Sequence, residues 1–376
     1  MNYNDYDCII VGAGIFGAVV AERLANDGNN ILVIDRRDHI AGNIYSEIDP
    51  DTGIEVHKYG SHIFHTKYDE VWEYLNKFTK FNDYVHRVDT RYLGNLYPMP
   101  INLNTINKYY GLNMGATEAR DFIKKEAEKE GVVNPSNFEE KALSLVGRKL
   151  YEAFLKGYTS KQWSTDPCNL SSDLLSRIPV RFSDDDRYFM DAKYQGIPIN
   201  GYTGMIQKIL SHPNITVKLG LDFNEIKNDV KNKKVVYCGQ IDELLDYRLG
   251  VLPYRSLRFE EERTTNSLGE AVINEADLNI PYTRTHDYKY YQIHKPEVIS
   301  QPVSIICKEY PADFKKGQEA YYPINNSDTE KLYSDYVTLA KEQFPNLILG
   351  GRLGAYRYWD MDIAVKNALE LVENMR

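Results

Sequence analysis

The stretch "YDCIIVGAGIFGAVVAERLANDGNNILVIDRR", residues 6–37, restricts the fold more than any other part of this chain. Cys8 to Val11 is a short apolar run suited to a parallel strand buried on both faces. Gly12, Gly14 and Gly17 follow in GxGxxG spacing. Val19, Val20 and Leu24 then recur on one helical face, and Gly28 is placed to stop the helix. "NILVID" reads as a second strand ending at Asp35. A glycine turn between strand and helix turns backbone N–H groups toward a pyrophosphate, and an acid ending the second strand accepts hydrogen bonds from an adenosine ribose. The unit predicts a bound dinucleotide. NAD and FAD both use it; Asp35 would repel the 2′-phosphate of NADP, an objection that Arg36 and Arg37 soften.

The other end of the chain has a matching peculiarity. "GGRLGAYRYWDMDIAVKNALE", residues 350–370, crowds Arg352, Tyr356, Arg357, Tyr358 and Trp359 in front of a helix. Ile363, Val365, Ala368, Leu369 and Val372 suit the packed face of that helix. A helix N-terminus favours an anion, and arginines with aromatic rings suggest a ligand bearing phosphates and flat rings. With a net charge of −9, a phosphate must be met by local cations, and the balance argues against a general nucleic-acid surface. Tyrosine outnumbers phenylalanine 30 to 13. This fits either half-buried surfaces or polar aromatics around a wet site, and the counts favour neither.

A length of 376 residues predicts two or three domains, and 43% hydrophobic with 26% charged residues describes an ordinary globular chain. Cys8, Cys168, Cys238 and Cys307 are far apart and form no CxxC pair, as expected of reduced thiols without a disulfide or metal framework. The N-terminal stretch carries acids where a signal peptide needs bases, and no apolar run reaches membrane-spanning length. The expectation is a cytoplasmic protein with no membrane partner. There are no repeats or low-complexity segments. "HKYGSHIFHT" contributes His57, His62 and His65, but without HExxH spacing or a nearby acid set these read as core or loop histidines, not metal ligands. "DHIAGNIYS" places Gly42 and Asn43 where many flavoproteins have a second glycine turn, but the choice of FAD needs the family resemblance that follows.

Taken in order, "VGAGIFGAV", "RDHIAGNIY", "HKYGSHIFHT", "LVGRKLYEAFLKGYTSKQW", "SRIPVRF", "YQGIPINGYTGM", "PYTRTHDYKYY", "YYPIN" and "GGRLGAYRYWDMD" resemble the UDP-galactopyranose mutase family nearly end to end. The resemblance implies an α/β fold: a Rossmann-like FAD-binding domain with an inserted helical domain and an antiparallel β-sheet domain. The implied boundaries are 1–80, 194–243 and 318–376 for the FAD domain, 81–183 for the helical domain, and 184–193 with 244–317 for the sheet domain. Local patterns are compatible with this. "TEARDFIKKEAEKEG" reads as a helix from Thr117 to Gly131, and Asn137 with Glu140 is a capping-box pattern starting another. "KKVVYCGQIDEL" reads as a buried strand ending in a Cys-Gly turn.

The implied activity is a redox-neutral isomerisation of UDP-galactopyranose to UDP-galactofuranose. N5 of reduced FAD would be the nucleophile on the anomeric carbon, with NAD(P)H or a flavin reductase as reductant and a homodimer as the assembly. Arg177 and Arg284 match the two diphosphate-clamping arginines, whose planar forks hold phosphate oxygens in pairs. Tyr158, Tyr188, Tyr322 and Tyr358 match phenols that bond those phosphates. Phe154, Tyr158, Thr159, Trp163 and Asn274 match nucleotide and sugar contacts, although Phe154, at helical spacing from Leu150, equally suits a core. His86 stands where many members have asparagine near the sugar, and Asn43 where the wider flavoenzyme pattern often has arginine. The cofactor residues implied are Gly12, Gly14, Phe16, Gly17, Asp35, Asn43, His62, Ile63, Asp222, Phe223 and Arg352. Trp359, Asp360, Met361, Asp362, Ile363 and Ala364 join them, the helix start favouring an anionic reduced flavin and Asp360 capping it. The alternatives are an FAD-dependent oxidase of the amine-oxidase-like fold, which needs no diphosphate clamp, a mutase acting on UDP-N-acetylgalactose, and a non-catalytic nucleotide-sugar sensor.

Overall fold

The computed structural model describes residues 2–177 and 180–376, apart from the side chains of Asp173, Ser176 and Arg177. The first expectations hold closely: strand Cys8–Val11, helix Ile15–Asn26 and strand Ile31–Asp35 follow one another. They belong to a compact unit made of Met1–Asp83, Asp191–Ser256 and Phe314–Arg376. Its five-stranded sheet runs Leu347–Leu349, Lys234–Tyr237, Cys8–Val11, Ile31–Asp35, Ile215–Leu219, with every pairing parallel. Starting from Ile215–Leu219, these are the third, second, first, fourth and fifth strands in chain order. The sheet therefore changes direction of growth between Cys8–Val11 and Lys234–Tyr237, the place where such sheets receive ligands beyond their carboxyl ends. The glycine-led helix packs against the helix Met361–Met375. Ile9, Leu32, Ile34, Val235 and Tyr237 form the buried core with Tyr254, Tyr336 and Tyr356.

The second compact unit comprises Tyr84–Met190 and Leu257–Asp313. Strands Ser304–Asp313, Arg284–Asp287, Val272–Glu275, Val88–Tyr92 and Asn95–Met99 lie side by side in that order. All pairings are antiparallel except that of Val272–Glu275 with Val88–Tyr92. Residues 81–183 are thus not wholly helical: Val88, Thr90 and Tyr92 alternate with polar neighbours at the strand period, and a Leu93–Gly94 turn returns the chain.

Helices Ala116–Glu128 and Phe138–Leu150 lie where the periodicity predicts them. Asn137 caps the second, its side chain accepting from the Glu140 N–H at 2.9 Å, but the Glu140 carboxylate bonds Ser136 and does not close the box. The helical stretch that follows is interrupted. At Gly147 (φ 73°) the chain kinks where a Cβ would come within 3.0 Å of the Glu126 backbone, and Tyr151–Lys156 widens into a π-helical turn before the helix Gly157–Trp163. Wide turns of this kind re-aim the residues that follow, here Tyr158 and Thr159. Among the described residues no helix is long and apolar enough to cross a membrane.

Candidate active site

The parallel-sheet unit holds a cleft enclosing ≈ 1280 Å³ of open space, part of it continuous with solvent, at the point where the sheet changes direction. Backbone contacts shape it. The Gly12 N–H donates to the Ile34 carbonyl at 2.8 Å, tying the glycine turn to the next strand. A Cβ on Gly12, which sits at φ +111°, would stand 3.0 Å from the Cβ of Cys238, and one on Gly17 only 2.0 Å from the Gly12 carbonyl oxygen. Helix and strand end therefore meet with no room for a side chain. The Asp35 carboxylate accepts the Ala13 N–H at 2.8 Å and the Arg37 N–H at 3.0 Å, one on each oxygen. Each oxygen keeps a lone pair for a further donor. These features fit a dinucleotide: a cradle that side chains would fill, and an acid fixed beside it.

Gly12, Gly14, Phe16, Gly17, Asp35 and Asn43 line this cleft. So do His62, Asp222, Phe223, Arg352, Trp359, Met361 and Ala364, whereas Ile63, Asp360, Asp362 and Ile363 are not among its walls. Asp222 also caps the short helix Phe223–Ile226, accepting the Asn224 N–H at 2.8 Å. His62 bonds the Gly60 carbonyl through Nδ1 at 2.7 Å. Neither Arg36 nor Arg37 faces the cleft uncompensated. Arg36 pairs with Glu243 at 3.0 Å, and Arg37 pairs with Glu319 at 2.5 Å while bonding Asn43 and covering the Tyr59 ring.

Arg352 differs from them. Its Nε and Nη2 donate to the Trp359 carbonyl at 3.2 and 2.6 Å, and its guanidinium lies over the Tyr358 ring at 4.9 Å and the Tyr322 ring at 5.8 Å. Among the described residues no carboxylate pairs with it. Its charge is left for an anion while its carbonyl bonds hold the loop in front of helix Met361–Met375. Trp359 stacks on Phe16 with ring centroids 6.0 Å apart. Asp360 occupies the N-cap position, but its side chain makes no capping bond. Its carboxylate and that of Asp362 instead act on His65, whose pKa burial lowers and the two acids partly restore. Burial in turn raises Asp362 above the ordinary carboxylate range.

The second unit gathers a different set. Glu309, Arg284 and Asn274 stand in register on three adjacent strands, so their side chains share one face of the sheet. Arg284 donates from Nε to the Tyr158 hydroxyl at 2.9 Å, and its Nη1 lies 4.0 Å from Glu309, which also contacts His286 at 3.3 Å. Burial pushes the Tyr158 phenol up to about 12, opposed by Arg284, so it stays protonated near neutrality. The Asn274 Oδ1 is buried without a hydrogen-bond donor among the described residues. An unmet acceptor next to a half-buried guanidinium is costly unless a ligand completes it.

The remaining expected residues fall around this cluster or away from it. His86 is buried, its Nδ1 3.1 Å from the Tyr84 hydroxyl, with Tyr188 edge-on at 5.3 Å. Thr159 is buried on the helix of Tyr158, and Trp163 ends that helix. Phe154, 2% exposed, lies in the helical core with Tyr97 and Tyr109 against its ring, which is the core role its spacing allowed. Tyr322 and Tyr358, 5.5 Å apart, belong to the parallel-sheet unit with Arg352. The Arg177 side chain lies outside the described residues.

Residues 153–358 match the family model described as UDP-galactopyranose mutase. The chain belongs to the UDP-galactopyranose mutase family. This is a family of isomerases, and the chain is an enzyme of that class. Residues 10–78 match an NAD(P)-binding Rossmann-like domain. A probable UDP-galactopyranose mutase of Klebsiella pneumoniae is 41% identical, over 98% of this chain and 94% of that protein. A dTDP-fucopyranose mutase of Escherichia coli is 39% identical over 97% of each chain. The fold is shared with a crystal structure of reduced UDP-galactopyranose mutase, at a TM-score of 0.74 and 16% identity over 98% of this chain and 95% of that one. A putative protoporphyrinogen oxidase from Exiguobacterium shares it at 0.62 and 12%, over 98% of both.

Set within this mutase family, the cleft residues Cys238, Glu243 and Glu319 escaped the reading of the sequence, as did Tyr59, which is not among the cleft's walls. Cys238 stands against the first glycine at the switch of the sheet, its thiol pushed up to about 12 by burial, a neutral and unreactive wall. The Cys-Gly turn after "KKVVY" was its only signal. Glu243, Glu319 and Tyr59 neutralise or cover Arg36 and Arg37 from distant segments, and no local pattern announces them.

Proposed function

We propose that the protein interconverts UDP-galactopyranose and UDP-galactofuranose with FAD in the cleft of the parallel-sheet unit, active when the flavin is reduced. The observation that carries this reading is the Arg284–Tyr158–Asn274 cluster. It offers a guanidinium, a protonated phenol and an unmet amide oxygen on one sheet face, the groups a sugar diphosphate would occupy. Arg284 would bind the diphosphate in substrate and stabilise the extra charge as UDP separates from the sugar. Arg177 is its expected partner. Tyr158 would donate its proton to a phosphate oxygen while accepting from Arg284, and Tyr188 would add a donor. On the cofactor side, the glycine cradle would hold a pyrophosphate, Asp35 a ribose, and Arg352 a second anionic group. Trp359 and Phe16 would face a flat ring. Reduced flavin, when bound, supplies an electron-rich nitrogen able to displace the nucleotide from the anomeric carbon. The chain's own part is placement and charge.

A relative named for dTDP-fucopyranose, almost as similar as the one named for UDP-galactopyranose, supports a second reading with that sugar nucleotide. One experiment tests both. The protein is purified, its chromophore released and identified, and the dithionite-reduced enzyme is incubated anaerobically with UDP-galactofuranose, UDP-galactose, UDP-N-acetylgalactosamine or dTDP-fucose before the products are separated. Conversion over many cycles per electron pair by reduced enzyme, with inert oxidised enzyme, is expected. Stoichiometric flavin reduction by the sugar, with peroxide formed in air, would make the protein an oxidase instead. NAD(P)H or a flavin reductase would replace dithionite in the cell.

A further inference from the structure

Lys161, in "GYTSKQW", has no part in the chemistry above, yet its surroundings are built with unusual economy. Its Nζ lies 2.8 Å from the carbonyl oxygen of Glu275, 2.9 Å from that of Asp277, and 3.0 Å from those of Ile280 and Tyr282. Four acceptors around one nitrogen suit an ammonium ion with three protons. A neutral amine would turn its lone pair on a carbonyl oxygen. The nearby carboxylates are engaged elsewhere: Glu275 pairs with Arg91 at 2.5 Å, and Asp277 accepts the Leu93 N–H at 3.1 Å. The cage is therefore made of backbone dipoles.

The Glu275 carbonyl ends strand Val272–Glu275, and the other three come from the connection that joins it to strand Arg284–Asp287. Gly157 meets the same connection from one helical turn earlier on the same face, where a Cβ would stand 2.0 Å from the Ala276 carbonyl oxygen. One residue lets the helix touch the connection because it has no side chain, and the other fastens it there. Between them on the helix sits Tyr158. Two residues beyond the last caged carbonyl sits Arg284, bonded to Tyr158 at 2.9 Å, and the residue before the first is Asn274.

We propose that Lys161 is a positioning residue of the isomerase reaction, fastening the Tyr158 helix to the connection that presents Asn274 and Arg284 and so fixing the geometry of that cluster. It touches no substrate. Without it the phenol and the guanidinium lose their common anchor, and their preorganisation for the diphosphate is lost. The proposal rests on the reading that this cluster holds the sugar diphosphate.

The test compares wild type, Lys161→Met, Lys161→Ala, Tyr158→Phe and the double variant Lys161→Met/Tyr158→Phe. It measures kcat and KM of the reduced enzyme, retained flavin, thermal unfolding, and the response to propylammonium or, as a neutral control, propanol. Lys161→Met is expected to lower kcat/KM by at least about 10-fold with flavin content unchanged. The same substitution in the Tyr158→Phe background should cost less than in wild type, because one of the groups it positions is already gone and the two losses are not additive. Propylammonium should restore part of the activity of Lys161→Ala and leave wild type unaffected, while propanol does nothing. Kinetics of Lys161→Met near those of wild type, equal rescue by propanol, or additive losses in the double variant would overturn the proposal. So would variants that fail to fold and do not respond to propylammonium, since Lys161 would then serve folding alone. An inactive wild type, or an Arg284→Ala variant as fast as wild type, would strike the reading of the cluster and leave a distinct signature.

Discussion

The two units build their sites from different material. In the parallel-sheet unit the cleft is shaped by main chain: Gly12 and Gly17 stand where any Cβ would collide, and Asp35 spends its oxygens holding N–H groups of the loop. In the second unit the cluster is made of side chains that meet across strands, Arg284 and Tyr158 being 126 positions apart. Main-chain sites tolerate no change at the glycines and care little which residues stand between them. Side-chain sites tolerate change almost anywhere except in the few groups that point inward.

The hardest test of this contrast is Gly17→Ala. One methyl group placed 2.0 Å from a carbonyl oxygen must push helix and strand apart, at a cost of about 3 kcal/mol or more. The expected outcome is an enzyme that retains no flavin through gel filtration, read from its visible absorbance. Full retention would break the claim that the main chain sets the cleft.

Next in size is Arg284→Ala. Removing a charged donor should cost about 1.5–3 kcal/mol, or about 10- to 100-fold in kcat/KM, with flavin content unchanged. Loss of flavin in this variant would mean that the two sites are not separable. Tyr158→Phe should act in the same direction with a smaller effect, about 1 kcal/mol, because the phenol is one of several partners of Arg284. Steady-state kinetics of the reduced enzyme check both.

The smallest effect concerns the parallel-sheet unit away from its cleft, and asks whether burial shifts ionisation there without any chemistry. Asp242 is fully buried and accepts the Glu243 and Leu252 N–H groups, yet burial pushes its carboxyl up to about 6 from an ordinary 3.8. The folded state then holds this proton more tightly than the unfolded chain. The group's stabilising contribution is present in acid and is lost as the pH rises through about 6. Asp242→Asn cannot titrate, so wild type should gain about 1 kcal/mol on the variant between pH 7.5 and pH 5. Urea unfolding at the two pH values measures the difference. A constant gap would show that the carboxyl is already ionised at pH 5.

Main-chain sites are also the ones a sequence displays. The strand, glycine turn, helix and acid of residues 8–35 were legible to the residue, because backbone contact leaves glycine as the only solution and fixes its spacing. Arg284, Tyr158 and Asn274 carried no such spacing and became visible only through resemblance to a known family. Strands Val88–Tyr92 and Asn95–Met99 were missed although their alternation was readable, because the longer helical pattern downstream dominated the segment. The missing cap at Asp360 could not have been read, since an N-cap aspartate and one held near a histidine occupy the same position. The carbonyl cage around Lys161 was hidden for a deeper reason: its walls are main-chain oxygens, which every residue owns.

The order of strands in the parallel sheet has a consequence for how the enzyme is made. Walls of the cleft come from residues 11–17 and also from residues 351–364, and the edge strand Leu347–Leu349 joins only after Lys234–Tyr237. A chain still being translated has its glycine cradle early but can close nothing around a cofactor until Ala364 has cleared the ribosome. A cofactor held in this cleft would therefore be enclosed only late in biosynthesis, when the last helix comes to cover the first.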